Sequence, residues 1–145
     1  MPTSTDCPLC REDGGLLIAQ TPLWRVIRAD EAAFPAFYRL VWRTHVTEFS
    51  DLDAAARLAC MEAVHRIETV LRQDLAPTKI NLASLGNVVP HLHWHVIARF
   101  DWDSHYPNPV WGSAQRPPDE ARLAALRQRL PALDAAIAAA VTTPA

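Results

Sequence analysis

The chain has 145 residues, half of them apolar, and a formal net charge of −2. This size and composition suit one compact domain with a buried core, and a nucleic-acid or anionic-membrane surface would need an excess of Lys and Arg. The apolar stretches are too short or too charged for a spanning helix, and residues 1–13 lack the pattern of a secretory signal. We therefore predict a cytoplasmic protein with no nucleic-acid or membrane partner.

Short strands separated by one long helix are predicted along the chain. The helix is expected to begin at an N-cap Ser50, with Asp53 as its capping-box partner, and to end near Leu75 before Pro77. A second helix is expected after the Pro117–Pro118 pair, to about residue 140. Apolar, partly alternating runs predict strands at residues 16–20, 23–28, 37–42, 79–85 and 92–100. This order indicates an α+β fold with a five-stranded, mainly antiparallel sheet.

Three histidines occupy alternate positions at the start of the last predicted strand. Side chains alternate across a strand, so His91, His93 and His95 are expected on one face, with Leu92 and Trp94 directed into the core. A solvent-facing ladder of histidines is one interpretation. A second interpretation is that the imidazoles bind a catalytic metal together, and a third is that one imidazole is a nucleophile that its neighbours orient.

Cysteines are too few for a disulfide scaffold. Cys7 and Cys10 form a C-x-x-C motif, which in a reducing compartment indicates a metal site or a redox pair more often than a structural disulfide. Cys60 lies alone in the long helix and is expected to be a small core residue.

The run His91-Leu92-His93-Trp94-His95-Val96-Ile97 resembles the signature of the histidine triad (HIT) superfamily. Further similarities extend the resemblance over about residues 7–111 and leave 117–140 as a C-terminal helical extension of a single HIT domain, residues 1–145. They are Asn81, the segment 86–90, the upstream His45, Asp30 at the end of the second strand, and the segment 105–107. The segment from Asn81 to Arg99 resembles that of bacterial HIT-like proteins described as diadenosine tetraphosphate hydrolases.

The resemblance implies a nucleotide hydrolase that acts through a nucleotidyl–histidine intermediate on dinucleoside polyphosphates or nucleoside phosphoramidates. His93 would be the nucleophile at the α-phosphorus, His95 would assist the leaving group, and Asn87 would stabilise charge on the phosphorus oxygens. The purine nucleotide would also contact Asp30 through its ribose. The remaining implied substrate contacts are Asn81, Val88 and Val89.

The resemblance also implies a homodimer and a structural zinc ion, with no organic cofactor. The zinc ligands would be Cys7, Cys10, His45 and His91, a closed set of four. This sequence departs from the family pattern at Asn87, where Gln is usual, and at Val88, where some members have a hydroxyl residue; both departures concern the substrate. Trp102 and Trp111 flank a proline-rich loop that could form a wall of the site.

Two other kinds of function fit the same residues. A nucleotide-binding or sensor protein would bind without turnover, although pure binding requires no nucleophile at His93. A metal-dependent hydrolase would use the triad itself as metal ligands, and its activity would be lost in chelator. A covalent-histidine enzyme would keep its activity in chelator as long as it stayed folded.

Overall fold

A five-stranded antiparallel sheet with strand order β1-β2-β3-β5-β4 forms the centre of the molecule. The computed structural model describes residues 4–144. The chain-order elements are a one-turn helix Ser4–Asp6, α1 (Pro8–Arg11), β1 (Leu16–Gln20), β2 (Trp24–Arg28), β3 (Phe37–Trp42), a one-turn helix Phe49–Asp51, α2 (Ala54–Leu75), β4 (Lys79–Ala83), β5 (His93–Arg99) and α3 (Glu120–Thr142). The predicted α+β class is confirmed.

Register gives the sheet two different faces. One face packs against α2 and α3 and carries the main core, in which Val26, Leu40 and Val96 are buried. The opposite face carries cross-strand rows, one joining Arg25, Val41 and His93 and the next joining Ile27, Arg39 and His95. Since cross-strand partners share a face, this second face presents the histidines away from both long helices.

Two segments outside the sheet cover the sides of the histidine face. At one side, Cys7 and Leu9 pack on Ile27 and Val41. At the other side, Phe34 and the partly buried Val110 pack with Phe37 and Ile97. The middle of the face, where His93 and His95 lie, is left as the floor of a cleft between them.

Helix α3 completes the main core. Its buried residues, Leu126, Leu130, Leu133, Ile137 and Val141, belong to the same apolar cluster as the sheet and α2. Asp134 adds a polar anchor, because it accepts a 2.6 Å hydrogen bond from the Tyr38 hydroxyl and pairs with Arg28 at 3.1 Å. The segment predicted as an extension is therefore an integral layer of this fold.

The predicted helix start is wrong by one turn. Asp53, not Ser50, is the N-cap of α2, and its carboxylate accepts a 2.8 Å bond from the amide of Ala56. Ser50 lies inside the preceding one-turn helix, whose own capping box joins Glu48 and Asp51. Asp is as good an N-cap as Ser, so the sequence offered two competing starts. Among residues 4–144, no helix combines the length and apolar character needed to cross a membrane.

Candidate functional site

Four predicted metal ligands converge beside the cleft. The potential ligand atoms of Cys7, Cys10, His45 and His91 all lie within 4.8 Å of one another. His91 Nδ1 is 3.4 Å from Cys7 Sγ and 3.5 Å from Cys10 Sγ. His45 Nδ1 is 3.3 Å from Cys10 Sγ and 3.2 Å from His91 Nδ1.

These distances suit a tetrahedral metal ion. Zinc bound at about 2.3 Å to sulfur and about 2.0–2.1 Å to nitrogen places its ligand atoms roughly 3.3–3.8 Å apart. His91 Nε2 donates a 2.6 Å hydrogen bond to the carbonyl of Trp42, so its Nδ1 lone pair is left facing the cluster. The four residues could therefore bind a metal ion, and with four protein ligands such a site would be closed.

Arg25 holds the segment that carries the two cysteines. Its guanidinium donates to the carbonyls of Leu9 at 2.7 Å, Glu12 at 2.8 Å and Asp13 at 3.0 Å. Because one Arg25 side chain donates to three backbone carbonyls, it fixes this short segment against β2. Cys7 and Cys10 are thereby placed next to the histidines.

A cleft of about 600 Å³ opens over the histidine face. Its walls come from the N-terminal segment, the loop between β4 and β5, and the loop after β5. The lining residues are Pro8, Leu9, Gly14, Arg39, Leu85, Gly86, Asn87, Val88, Val89, His93, His95 and Trp111. Gly86 has φ of +75°, a left-handed conformation that glycine adopts without strain and that turns the loop between β4 and β5.

The two histidines of the floor have different hydrogen bonds. His93 Nδ1 donates a 2.6 Å bond to the carbonyl of His91, which leaves Nε2 with its lone pair. His95 Nδ1 accepts from Arg39 Nε at 3.3 Å, so a neutral His95 carries its proton on Nε2. Neither Nε2 atom has a hydrogen-bond partner among residues 4–144. The floor therefore pairs a nucleophilic nitrogen with a hydrogen-bond donor.

Burial keeps both imidazoles neutral at neutral pH. The side chains are 9% exposed for His93 and 5% for His95. Burial lowers the pKa of His93, and the charge of Arg39 lowers it further. Burial also lowers the pKa of His95 to about 4, with contributions from His93 and Arg39. A neutral imidazole is the form that can act as a nucleophile.

Three of the predicted substrate-site residues line the cleft, namely Asn87, Val88 and Val89. Asp30 and Asn81 do not. Asp30 is exposed just after β2, and the Asn81 side-chain oxygen accepts a 2.9 Å bond from the buried Arg99. A direct contact of either residue with a nucleotide stays a prediction.

The charged residue of the cleft, Arg39, was missed by sequence reasoning, which also treated Trp102 and Trp111 alike. Arg39 was not singled out, although alternation along β3 places it on the same face as Phe37 and Val41. Of the two tryptophans, Trp111 lines the cleft with its ring centroid 5.1 Å from that of His95. Trp102 instead stacks on Phe100 at 4.9 Å.

The triad does not converge on one metal position. In residues 4–144, one group of three or more potential ligands comes together, and it contains His91 but neither His93 nor His95. Their Nδ1 atoms are engaged by the His91 carbonyl and by Arg39. The geometry thus separates the histidine pair on the cleft floor from the metal cluster, which is the group of four residues that could bind a metal ion: Cys7, Cys10, His45 and His91.

Fold and site define a protein with a histidine pair in an open cleft and a Cys₂His₂ cluster beside it. A HIT domain family model matches residues 11–102. A histidine triad protein of Bradyrhizobium japonicum is 30% identical, with TM-score 0.72 and coverage of 89% of this chain and 92% of that one. A histidine triad protein of Sinorhizobium meliloti is 25% identical, with TM-score 0.70 and coverage of 94% and 98%.

A zinc-bound histidine triad family protein of Mycobacterium smegmatis shares the fold at 20% identity, with TM-score 0.59 and coverage of 92% of this chain and 99% of that one. No curated protein matched the sequence. The chain belongs to the HIT family. The predicted HIT-like fold is confirmed.

Proposed function

We propose that this protein is a nucleotide hydrolase that works through a covalent nucleotidyl–His93 intermediate. Its substrates are dinucleoside polyphosphates or nucleoside phosphoramidates. The observation that carries the proposal is the 2.6 Å hydrogen bond from His93 Nδ1 to the His91 carbonyl, because it directs the Nε2 lone pair to the open side of a cleft. Membership of the HIT family supports the reaction class.

In the first step, His93 Nε2 forms a bond to the α-phosphorus while the bond from phosphorus to the leaving group breaks. The leaving group takes the electron pair of that bond. His93 keeps its Nδ1 proton on the His91 carbonyl, which stabilises the positive charge that the ring acquires. His95 donates from Nε2 to a phosphate or leaving-group oxygen.

In the second step, water attacks the phosphorus and the bond to His93 Nε2 breaks. The imidazole returns to its neutral form, and one water proton goes to solvent. Asn87 and the backbone of Val88 and Val89 line the phosphate side of the cleft and would stabilise charge on the phosphorus oxygens. Asp30 and Asn81 are proposed to act at the nucleoside end, Asp30 on the ribose and Asn81 through the segment that Arg99 holds.

The metal cluster is proposed to hold structural zinc through Cys7, Cys10, His45 and His91. A closed zinc site supplies folding energy and no reactive position. Its effect on the site runs through His91, whose ring belongs to the cluster and whose carbonyl holds His93. The zinc identity, the cytoplasmic location and the homodimer stay predictions.

The test is turnover of a panel of diadenosine polyphosphates and adenosine phosphoramidates by wild type, His93→Ala and His65→Ala. His65 is exposed on α2, outside the cleft, and its variant is the matched control. We expect His93→Ala to lose roughly three or more orders of magnitude in kcat and to retain AMP binding, because one nucleophile carries the covalent step. Turnover of His93→Ala within tenfold of wild type would overturn the covalent assignment.

The same assay separates the alternatives. A metal-dependent hydrolase would lose activity in chelator while still folded, and the covalent mechanism predicts that it does not. A binding or sensor protein would bind AMP with an intact His93 and turn over no member of the panel.

A further inference from the structure

Arg39 lies in the middle of the cleft floor. It is the cross-strand partner of His95 on β5 and of Ile27 on β2. Of the cleft-lining residues in the described part of the chain, it is the single formally charged one. Its charge is therefore the main electrostatic feature that a bound phosphate would meet.

Two contacts fix the orientation of the Arg39 guanidinium. Its central carbon lies over the Phe37 ring, 5.1 Å from the ring centroid, in a cation–π contact. Its Nε donates to His95 Nδ1 at 3.3 Å. Within residues 4–144 it forms no ion pair, and Nη1 and Nη2 have no hydrogen-bond partner. Glu31, in the exposed loop after β2, is the acid whose charge acts on it. The outer edge of the guanidinium is thus available to an anion, which it can bind in a bidentate way.

The Nε contact also limits what His95 can do. A second proton on His95 would have to sit on Nδ1, and that lone pair already accepts from Arg39. With a permanent positive charge beside it, His95 is held as a neutral Nε2–H donor. It can therefore donate a hydrogen bond, but it is poorly suited to deliver a proton.

This difference matters for the leaving group. When a phosphoanhydride P–O bond breaks, the electron pair stays on a phosphate oxygen, which leaves as a stable anion and needs no proton. When a phosphoramidate P–N bond breaks, the nitrogen must gain a proton in order to leave as a neutral amine. A neutral His95 next to a guanidinium suits the first case.

We propose that Arg39 makes this cleft selective for phosphoanhydrides over phosphoramidates. Its outer N–H groups bind phosphate oxygens beyond the α-phosphate, and its Nε keeps His95 in the neutral Nε2–H form. Arg39 is a substrate-contacting residue in the first role and a positioning residue for His95 in the second. The selectivity in turnover rests on the proposed hydrolysis. The binding of phosphate oxygens by Arg39 does not depend on it.

Two substitutions separate the two roles. In Arg39→Gln the side-chain amide nitrogen occupies the position of Nε and can still donate to His95, but the charge and the outer N–H groups are gone. Arg39→Met has a side chain of similar length but loses the donor to His95 as well as the charge and the outer N–H groups. Arg127→Gln is the control for net charge, because Arg127 is exposed on α3 and donates to the carbonyl of Ala32, away from the cleft.

Binding is measured by calorimetry with AMP and α,β-methylene ATP, which cannot be cleaved at the α–β bond. We expect both Arg39 variants to lose about 10- to 100-fold more affinity for α,β-methylene ATP than for AMP, the range for a hydrogen bond to a charged group. Arg127→Gln should show no such difference. Equal losses for the two ligands would overturn the phosphate-binding role, whatever the turnover.

Specificity is measured as the ratio of kcat/KM for diadenosine tetraphosphate to that for an adenosine phosphoramidate. Wild type should favour the tetraphosphate. The ratio should fall in Arg39→Gln and fall further in Arg39→Met, where His95 becomes free to take a second proton. A wild type that favours the phosphoramidate, or a ratio equal in all proteins, would overturn the selectivity.

Nitrogen-15 NMR of the imidazoles reports the positioning role directly. His95 should be the Nε2–H tautomer in wild type and Arg39→Gln and a tautomer mixture in Arg39→Met. An unchanged His95 spectrum in Arg39→Met would refute that role. If wild type turned over neither substrate while the binding difference persisted, the proposed hydrolysis would fail and the phosphate-binding role would stand.

Discussion

The metal cluster and the cleft floor use histidines from the same short run in opposite ways. His91 donates from Nε2 to a backbone carbonyl and presents Nδ1 to a closed set of ligands. His93 donates from Nδ1 and leaves Nε2 open, and His95 has its Nδ1 taken by Arg39. The spacing places all three on one side of the sheet. For each histidine, the hydrogen-bond partner of one ring nitrogen determines what the other ring nitrogen can do.

The largest expected effect comes from removing one ligand of the metal cluster. Cys7→Ala should lose the bound metal and destabilise the protein by more than about 3 kcal/mol, since structural zinc contributes about 10–16 kcal/mol of apparent binding free energy in zinc-finger peptides. Chemical denaturation and elemental analysis measure the two effects. Cys60→Ala makes the same chemical change in the main core and should keep the metal at a cost of about 1 kcal/mol. A wild-type protein that is fully stable without metal would contradict the prediction that the four residues bind a structural metal ion.

A smaller effect, on nucleotide affinity, is expected from a change at Asp30, which is proposed to contact the nucleoside. Asp30→Ala should weaken AMP binding by about 1.5–3 kcal/mol, because an ionised carboxylate can accept from both ribose hydroxyls. Wild type should bind 2′-deoxy-AMP more weakly than AMP, and the variant should discriminate little between them. Titration of both ligands measures this, and a general folding defect would weaken both alike. Equal discrimination in the two proteins would show that Asp30 does not read the sugar.

The smallest effect is a pH dependence that separates His95 from an ordinary histidine. Burial lowers its pKa to about 4 in the folded chain, below the value near 6.5 of an unfolded histidine. The unfolded state therefore binds more protons between these values, and the stability that neutral His95 contributes is complete above pH 6.5 and declines as the pH falls towards 4.

Urea unfolding at pH 7 and pH 4.5 measures this decline. His95→Asn should lose less stability over that interval than wild type, whereas the exposed control His65→Asn should behave as wild type does. Release of metal at acid pH would affect all three proteins equally. A decline as steep in His95→Asn as in wild type would show that this histidine is not held neutral by the fold.

The sequence was sufficient for the fold class and for naming the four residues that lie together and could hold a metal ion. Alternation and helical spacing are local signals, so they located the strands within one or two residues at most ends and α2 within one turn. The C-x-x-C motif and the two distant histidines became a cluster through the resemblance to the HIT family, since nothing in their spacing brings residues 7 and 91 together.

The role of Arg39 could not be obtained in that way. The segment Phe37–Trp42 is predictable as a strand, and alternation places Arg39 beside Phe37 and Val41 on one face. What gives Arg39 its role is the β3–β5 register that sets it opposite His95, and register depends on how distant strands pair. The same limit applies to Asn81, because its partner Arg99 lies on the neighbouring strand β5 and meets it only in this register.

The N-terminal segment contributes residues both to the metal cluster and to the cleft. Cys7 and Cys10 belong to the metal cluster, while Pro8 and Leu9 between them line the cleft. Any event that orders this segment for one ligand lowers the cost of binding the other, and thermodynamic linkage requires the two effects to be equal in free energy. A metal ion bound by the four ligands and a nucleotide bound in the cleft are therefore expected to be cooperative ligands, so that removing the metal would also weaken the affinity for nucleotides.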